Sequence, residues 1–156
     1  MNRTIAITAL TASVLLLGSC MHGEPYVAGD MGWSLHETPE EGAKLAYGAP
    51  NSDNVALMLS CQPASGQVLV STNSVAASPA IVLKSGKTET ALPATATPSM
   101  GEGHFLEAGA RANDPVLASF ARTGDITLVQ GKDSMKLSAN GGDRPQISKF
   151  FATCAA

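Results

Sequence analysis

Aromatic and charged side chains are scarce in this chain of 156 residues. Phe, Trp and Tyr make up 4% of it, and Asp, Glu, Lys and Arg make up 15%, where about 25% is ordinary for a soluble protein. Lys and Arg number 10 against 13 Asp and Glu, so the formal net charge is −3. A chain with neither a basic excess nor many stacking aromatics is not expected to bind nucleic acid. The 44% of hydrophobic residues argues against a disordered chain.

The sequence also lacks the common catalytic motifs. It contains no Gly-x-Ser-x-Gly stretch for a nucleophilic serine and no Gly-x-x-x-x-Gly-Lys-Ser/Thr loop for phosphate. Gly101-Glu102-Gly103 is an isolated Gly-x-Gly, which we interpret as part of a loop. We therefore predict no catalytic residues and no cofactor, and we do not expect an enzyme. An enzyme of unrecognised type is kept as an alternative.

Three residues close in sequence could offer nitrogen and oxygen ligands to a metal ion: Glu102, His104 and Glu107. In an extended strand, Glu102 and His104 project to one side and Glu107 projects to the other. A shared site needs the ligands to converge on one point. We therefore predict no metal site and interpret these residues as solvated.

The first twenty residues differ in character from the rest. Arg3 is followed by residues 5–17, none of which is charged. Thirteen residues are too few to span a bilayer as a helix, which needs about 20. They suit the apolar region of a secretion signal.

Leu17-Gly18-Ser19-Cys20 resembles the lipobox of bacterial lipoproteins. The resemblance implies that residues 1–19 are a signal peptide, removed before Cys20, and that Cys20 carries palmitate and related acyl chains. It also implies an envelope location, and Met21, in place of Asp, favours the outer membrane facing the periplasm. The alternative is a conventional cleavage site with Cys20 as an ordinary thiol. Residues 20–30 are small, polar and interrupted by Gly and Pro, so we expect a flexible tether before a single domain of residues 31–156.

Two cysteines remain when Cys20 is assigned to lipid: Cys61 and Cys154. In an exported chain, an even number of cysteines in an oxidising compartment predicts a disulfide. The alternative is two separately buried thiols. No Cys-x-x-Cys spacing is present to lower a thiol pKa, which argues against a redox-active pair.

Short alternating runs predict an α+β fold, mainly antiparallel β-sheet built from hairpins. The predicted hairpins pair residues 55–61 with 67–72, 80–84 with 88–92, and 125–130 with 134–139, and weaker strands cover 32–36 and 44–47. Residues 93–103 contain Pro and Gly and are predicted to be a surface loop. We expect this loop to be the first surface to examine for a partner.

Two short helices are predicted among these strands. Asp114, Pro115 and Gly124 provide start and stop signals for the first, whose apolar side carries Val116, Leu117, Phe120 and Ala121. The second begins near Pro145, and Ile147, Phe150, Phe151 and Cys154 share one of its faces. Packing that face on the sheet brings Cys154 towards the strand of Cys61.

These features predict a non-enzymatic, membrane-anchored envelope lipoprotein that binds a protein partner or assists assembly. A sharper alternative is lysozyme inhibition. An anchor, an early strand ending in Cys61, hairpins and a late Cys154 are loosely similar to the C-type lysozyme inhibitor lipoproteins. The Ser-Gly-x-x-Tyr stretch of that family has no match here, because Ser65-Gly66 is followed by Gln67-Val68-Leu69.

Overall fold

The computed structural model of the protein describes residues 31–155. Residues 1–30, with the predicted signal peptide, Cys20 and the tether, lie outside the described residues, as does Ala156. Within the described range there are nine strands and two helices: β1 (Gly32–Thr38), β2 (Gly42–Gly48), β3 (Val55–Cys61), β4 (Gln67–Ser74), β5 (Ala80–Ser85), β6 (Thr88–Pro98), β7 (His104–Arg111), α1 (Pro115–Thr123), β8 (Asp125–Gln130), β9 (Asp133–Ser138) and α2 (Arg144–Cys154).

The strands form one sheet in the order β1-β2-β3-β4-β7-β6-β5-β8-β9, and every neighbouring pair is antiparallel. The long strand β6 belongs to both halves of the sheet. Residues 88–93 pair with β5, and residues 94–98 pair with β7. The sheet is nearly closed and barrel-like, and the α+β class predicted from the sequence is confirmed.

The core consists of the inward faces of the strands and the apolar sides of both helices. Alternate residues of β3 illustrate the pattern, because Leu57, Leu59 and Cys61 are buried and the residues between them are less so. An aromatic cluster joins the helices to β1 and β2. Trp33 lies 4.7 Å from Phe120 and 5.2 Å from Tyr47, between ring centroids. Phe151 of α2 joins the cluster through Phe120, with ring centroids 5.9 Å apart, so the two helices pack against each other as well as on the sheet.

Both predicted helices are confirmed. The helix α1 begins at Pro115 and is followed by Gly124 in the left-handed conformation, with φ of 72°. Asp114 precedes it without capping it through its side chain, because the carboxylate accepts a hydrogen bond from the backbone N–H of Arg111 instead. The helix α2 buries Ile147, Phe150 and Cys154, with Phe151 partly buried.

The surface loop predicted for residues 93–103 is wrong over its first half, since β6 continues to Pro98. Pro93 is the last residue of β6 paired with β5, and Ala94 is the first paired with β7. The proline, which has no N–H to donate, therefore stands where the strand changes partner. The loop is confined to residues 99–103.

Strand β7 was not predicted, although it lies between β4 and β6 near the middle of the sheet. Its inward residues are Leu106, Ala108 and Ala110, two of which are alanines with weak strand preference. Gly109 weakens the pattern further. The strand is held by its neighbours on both sides more than by its own sequence.

Candidate functional site

The disulfide bond between Cys61 and Cys154 joins the last residue of β3 to the last residue of α2. The two Cα atoms are 5.8 Å apart, a separation that suits a disulfide. Both cysteines are buried, with Cys154 fully excluded from solvent. The predicted pairing is confirmed, and it encloses a sequence separation of 93 residues.

The backbone around this bond is densely hydrogen-bonded. In the β3–β4 loop, residues 62–66, the N–H of Ala64 donates to the carbonyl of Thr153 at 2.8 Å, and the N–H of Gly66 donates to that of Cys154 at 2.9 Å. The Gly66 carbonyl accepts from the N–H of Ala112 at 3.0 Å. Because the loop, α2 and the end of β7 are linked in this way, we call this region, residues 61–66, 111–112 and 153–154, the disulfide end.

Helix α2 also covers the free edge of β1. The Asp143 carboxylate accepts from the N–H of Trp33 at 3.1 Å, and the Gln146 amide accepts from the N–H of Leu35 at 2.8 Å and donates to the Trp33 carbonyl at 3.2 Å. An uncovered strand edge can pair with other chains. Asp143, which precedes α2, and Gln146 within it therefore hydrogen-bond to the β1 backbone in place of a neighbouring strand.

Glu37 extends this contact towards the disulfide end. Its carboxylate forms an ion pair with Lys149 and accepts a hydrogen bond from the Thr153 hydroxyl at 3.0 Å. The hydrogen bond from Lys149, followed by that from Thr153, lowers the pKa of Glu37 below its ordinary value. Glu37 is exposed, which marks this as a surface contact that orients α2.

A cavity of about 500 Å³ lies away from the disulfide, beneath the β4–β5 loop of residues 75–79. Its walls come from that loop, the first residues of β5, the last residues of β8 and the turn that follows. Leu106 of β7, with Ile81 and Leu128, forms a buried apolar floor. The volume lies within the range of about 300–1,000 Å³ that is usual for small-molecule pockets.

The neutral polar side chains around this cavity are turned to the protein itself. Thr72 donates to the Ala56 carbonyl at 2.7 Å, and Gln130 donates to the Asn73 carbonyl at 2.6 Å. The hydroxyls of Ser74 and Ser78 donate to carbonyls two residues further along the chain. Asp133 is the one charged side chain among the described residues that line the cavity, and it is exposed. The site therefore offers mainly apolar surface.

Two large apolar side chains are fully exposed beside the cavity. Val75, in its lining, is 95% exposed, and Met100, in the loop of residues 99–103, is 109% exposed. Gly103 places the two loops next to each other: with φ of 91° it lies so close to the Ser74 carbonyl that a Cβ would collide with it. We call the cavity with residues 75–79, 99–103 and 131–132 the cavity end.

The side chains considered for metal binding are separated by the structure. His104 begins β7 and shares the inward face with Leu106, Glu107 lies on the opposite face, and Glu102 lies in the preceding loop. Within residues 31–155 no three His, Cys, Asp or Glu side chains are grouped so as to hold a metal ion. The Nδ1 atom of His104 is buried without a hydrogen-bond partner.

A second hollow of about 470 Å³ lies on the outside of the helices. It is bordered by Ala118 and Ala121 of α1, Phe151 and Ala155 at the end of α2, and the exposed Arg111. None of the described residues that border it is acidic. It differs from the cavity end because the described residues that border it do not form a comparable floor of fully buried side chains.

The cavity end could not be identified from the sequence. Its loop, residues 75–79, reads Val-Ala-Ala-Ser-Pro and has no motif, and the floor residues belong to three separate strands.

Among the described helices, none combines the length and the apolar character needed to cross a bilayer. Comparisons with protein-family models, with curated proteins and with solved structures find no match for this chain.

Proposed function

We propose that this protein is a lipid-anchored lipoprotein of the bacterial envelope, with a domain that binds a ligand or partner and is not an enzyme. The observation that carries the proposal is the disulfide between Cys61 and Cys154. Structural disulfides persist in oxidising compartments outside the cytosol. A bond of this kind fits a chain that is exported, as the apolar segment of residues 5–17 also suggests.

The proposed anchor is Cys20. Its position after Leu17-Gly18-Ser19 is that of the lipidated cysteine in the lipobox. Acyl chains on one residue hold a protein at a membrane because each buried CH₂ contributes about 0.8 kcal/mol. Met21 supports the outer membrane, with the domain facing the periplasm, as its destination.

The proposed binding role is supported by the cavity end. A pocket with an apolar floor and two exposed apolar side chains at its rim is a surface suited to recognition. Its neutral polar side chains are engaged with the backbone, and Asp133 is the one ionisable side chain among the described residues of its lining, which therefore contain no acid–base pair. These features favour binding over catalysis.

The intact mass of the protein extracted from bacterial membranes tests the proposal. We expect a mass that begins at Cys20 and includes acyl chains, with a gain of two hydrogens on reduction. The Cys20→Ser variant should lose the acyl mass, keep the gain on reduction and leave the membrane fraction. Unacylated wild-type protein, or free thiols at Cys61 and Cys154, would contradict it.

A further inference from the structure

We propose that the cavity end binds one hydrocarbon chain of an uncharged lipid. This inference rests on the proposed binding role of the domain and does not require the anchor at Cys20. The cavity of about 500 Å³ has the size of a ligand site. Its floor residues, Ile81, Leu106 and Leu128, are buried and apolar, so a ligand reaching them meets hydrocarbon.

The hydrogen bonds already made by polar side chains of the cavity lining limit which kind of ligand can bind there. Thr72, Ser78 and Gln130 each donate to a backbone carbonyl of this chain. Because these donors are engaged within the chain, a ligand that must accept hydrogen bonds finds few donors there, and losing its bonds to water is costly. An aliphatic chain loses nothing in the same place and gains about 0.8 kcal/mol for each CH₂ removed from water.

The charged side chains near the opening of the cavity indicate which kind of lipid head group can bind there. Asp133 lines the cavity, and Glu102 borders the small hollow next to it, which shares Ser74, Val75 and Gln130 with the cavity. Lys132 is the cation closest in sequence, and it is in the turn that precedes Asp133. Asp133 and Glu102 together outweigh the charge of Lys132, so an anionic head group meets net negative charge at this rim and an uncharged head group is favoured.

The exposed side chains at the rim point to a membrane as the source of the lipid. Val75 and Met100 are on neighbouring loops and have nearly no contact with the rest of the domain. Apolar side chains of this kind partition into the boundary between head groups and acyl chains. Contact there would bring the cavity mouth to the lipid chains without a passage through water.

Photolabelling tests this inference with the full chain mixed with phosphatidylcholine vesicles. The vesicles contain a minor share of a monoacylglycerol whose chain carries a diazirine, and a parallel sample contains the matching diazirine fatty acid. After illumination, digestion and mass spectrometry should find the label on Ile81, Leu106 or Leu128. We expect about fivefold more label from the uncharged probe, the size of a weak repulsion between exposed like charges.

Two variants provide the comparison. Ala76→Phe places a large side chain in the cavity wall at an exposed position, and it should abolish the label on the floor. Ala152→Phe adds the same side chain on the exposed face of α2, away from the cavity, and it should leave the label unchanged.

Three outcomes would overturn the inference: no label on the floor of the wild-type chain, label confined to Val75 and Met100, or equal floor label in the Ala76→Phe variant. Flotation of wild type and of the Cys20→Ser variant measures the anchor separately, because both chains keep Val75 and Met100. If wild type floats better than Cys20→Ser but carries no floor label, lipid binding is refuted and the anchor stands. If floor label is found and the two chains float equally, the anchor alone is refuted.

Discussion

The disulfide end and the cavity end of the barrel are built from loops of similar length with opposite properties. At the disulfide end, the loop of residues 62–66 is hydrogen-bonded to the carbonyls of Thr153 and Cys154 and lies beside a covalent bond. At the cavity end, the loop of residues 75–79 lies over a space of about 500 Å³, and Val75 is 95% exposed. The disulfide end is closed by hydrogen bonds and a covalent bond, whereas the cavity end is open.

Under the binding role proposed for the cavity end, this difference separates stability from recognition within one small domain. Loops that bind ligands come from the less stable parts of a structure, since they must open and adapt. A rigid opposite end lets them do so without unfolding the sheet. In that proposal, the disulfide stabilises the end of the domain that lies opposite the open cavity.

The largest expected effect comes from removing the disulfide. Replacing both cysteines, Cys61→Ala with Cys154→Ala, frees a loop of 93 residues and should lower the free energy of unfolding by about 4–5 kcal/mol. Urea denaturation measures it, with reduced wild-type protein as the control. An unchanged denaturation midpoint would show that the disulfide end does not stabilise the fold.

Two aspartates, one beside α2 and one at the cavity end, give a matched pair. Asp143 is 6% exposed and accepts from the backbone N–H groups of Trp33 and Asn140, whereas Asp133 is exposed. Asp143→Ala should cost about 1.5–3 kcal/mol, because it leaves a buried N–H unpaired. Asp133→Ala should cost less than about 0.5 kcal/mol. If the two variants changed the urea midpoint equally, the two aspartates would not differ in their contribution to stability.

The exposed apolar side chains should matter little for stability. The double variant Val75→Ser with Met100→Ser loses almost no buried surface, so its free energy of unfolding should change by less than about 0.5 kcal/mol. Thermal unfolding followed by circular dichroism is sufficient to measure this. A large fall in the melting temperature would mean that these residues serve the fold and not a ligand.

A small pH effect is expected where Glu37 contacts α2. Because the folded-state pKa of Glu37 is lowered, its contribution is fully present above its unfolded-state pKa and is lost as the pH falls through the lower folded-state value. The contact is exposed, so salt should weaken it. Urea midpoints of wild type and Glu37→Gln should converge in acid and separate slightly near neutral pH. A separation that grows in acid would contradict this sign.

The sequence was informative where local signals agreed with the fold. Hairpins with Gly turns, the start of α1 at Pro115 and the pairing of Cys61 with Cys154 could all be predicted. Strand β7 could not, because Ala108, Gly109 and Ala110 have little preference for a strand and are placed by β4 and β6.

The candidate site was harder to predict than the fold. Ile81, Leu106 and Leu128 are ordinary core residues in their own strands, and the loop of residues 75–79 carries no motif. A cavity depends on how far elements distant in sequence approach one another. No local sequence pattern specifies that distance, so the pocket can be identified from the structure and not from the sequence.

Amide hydrogen exchange of the full chain, before and after addition of monoolein to phosphatidylcholine vesicles, tests the contrast between the two ends most directly. We predict slow exchange at Ala64 and Gly66 in both samples, since their N–H groups are bonded to α2. Exchange at residues 75–78, in the loop before β5, should be fast without monoolein and slower with it. Unchanged exchange at residues 75–78, or a response confined to residues 62–66, would contradict an open, lipid-binding cavity end.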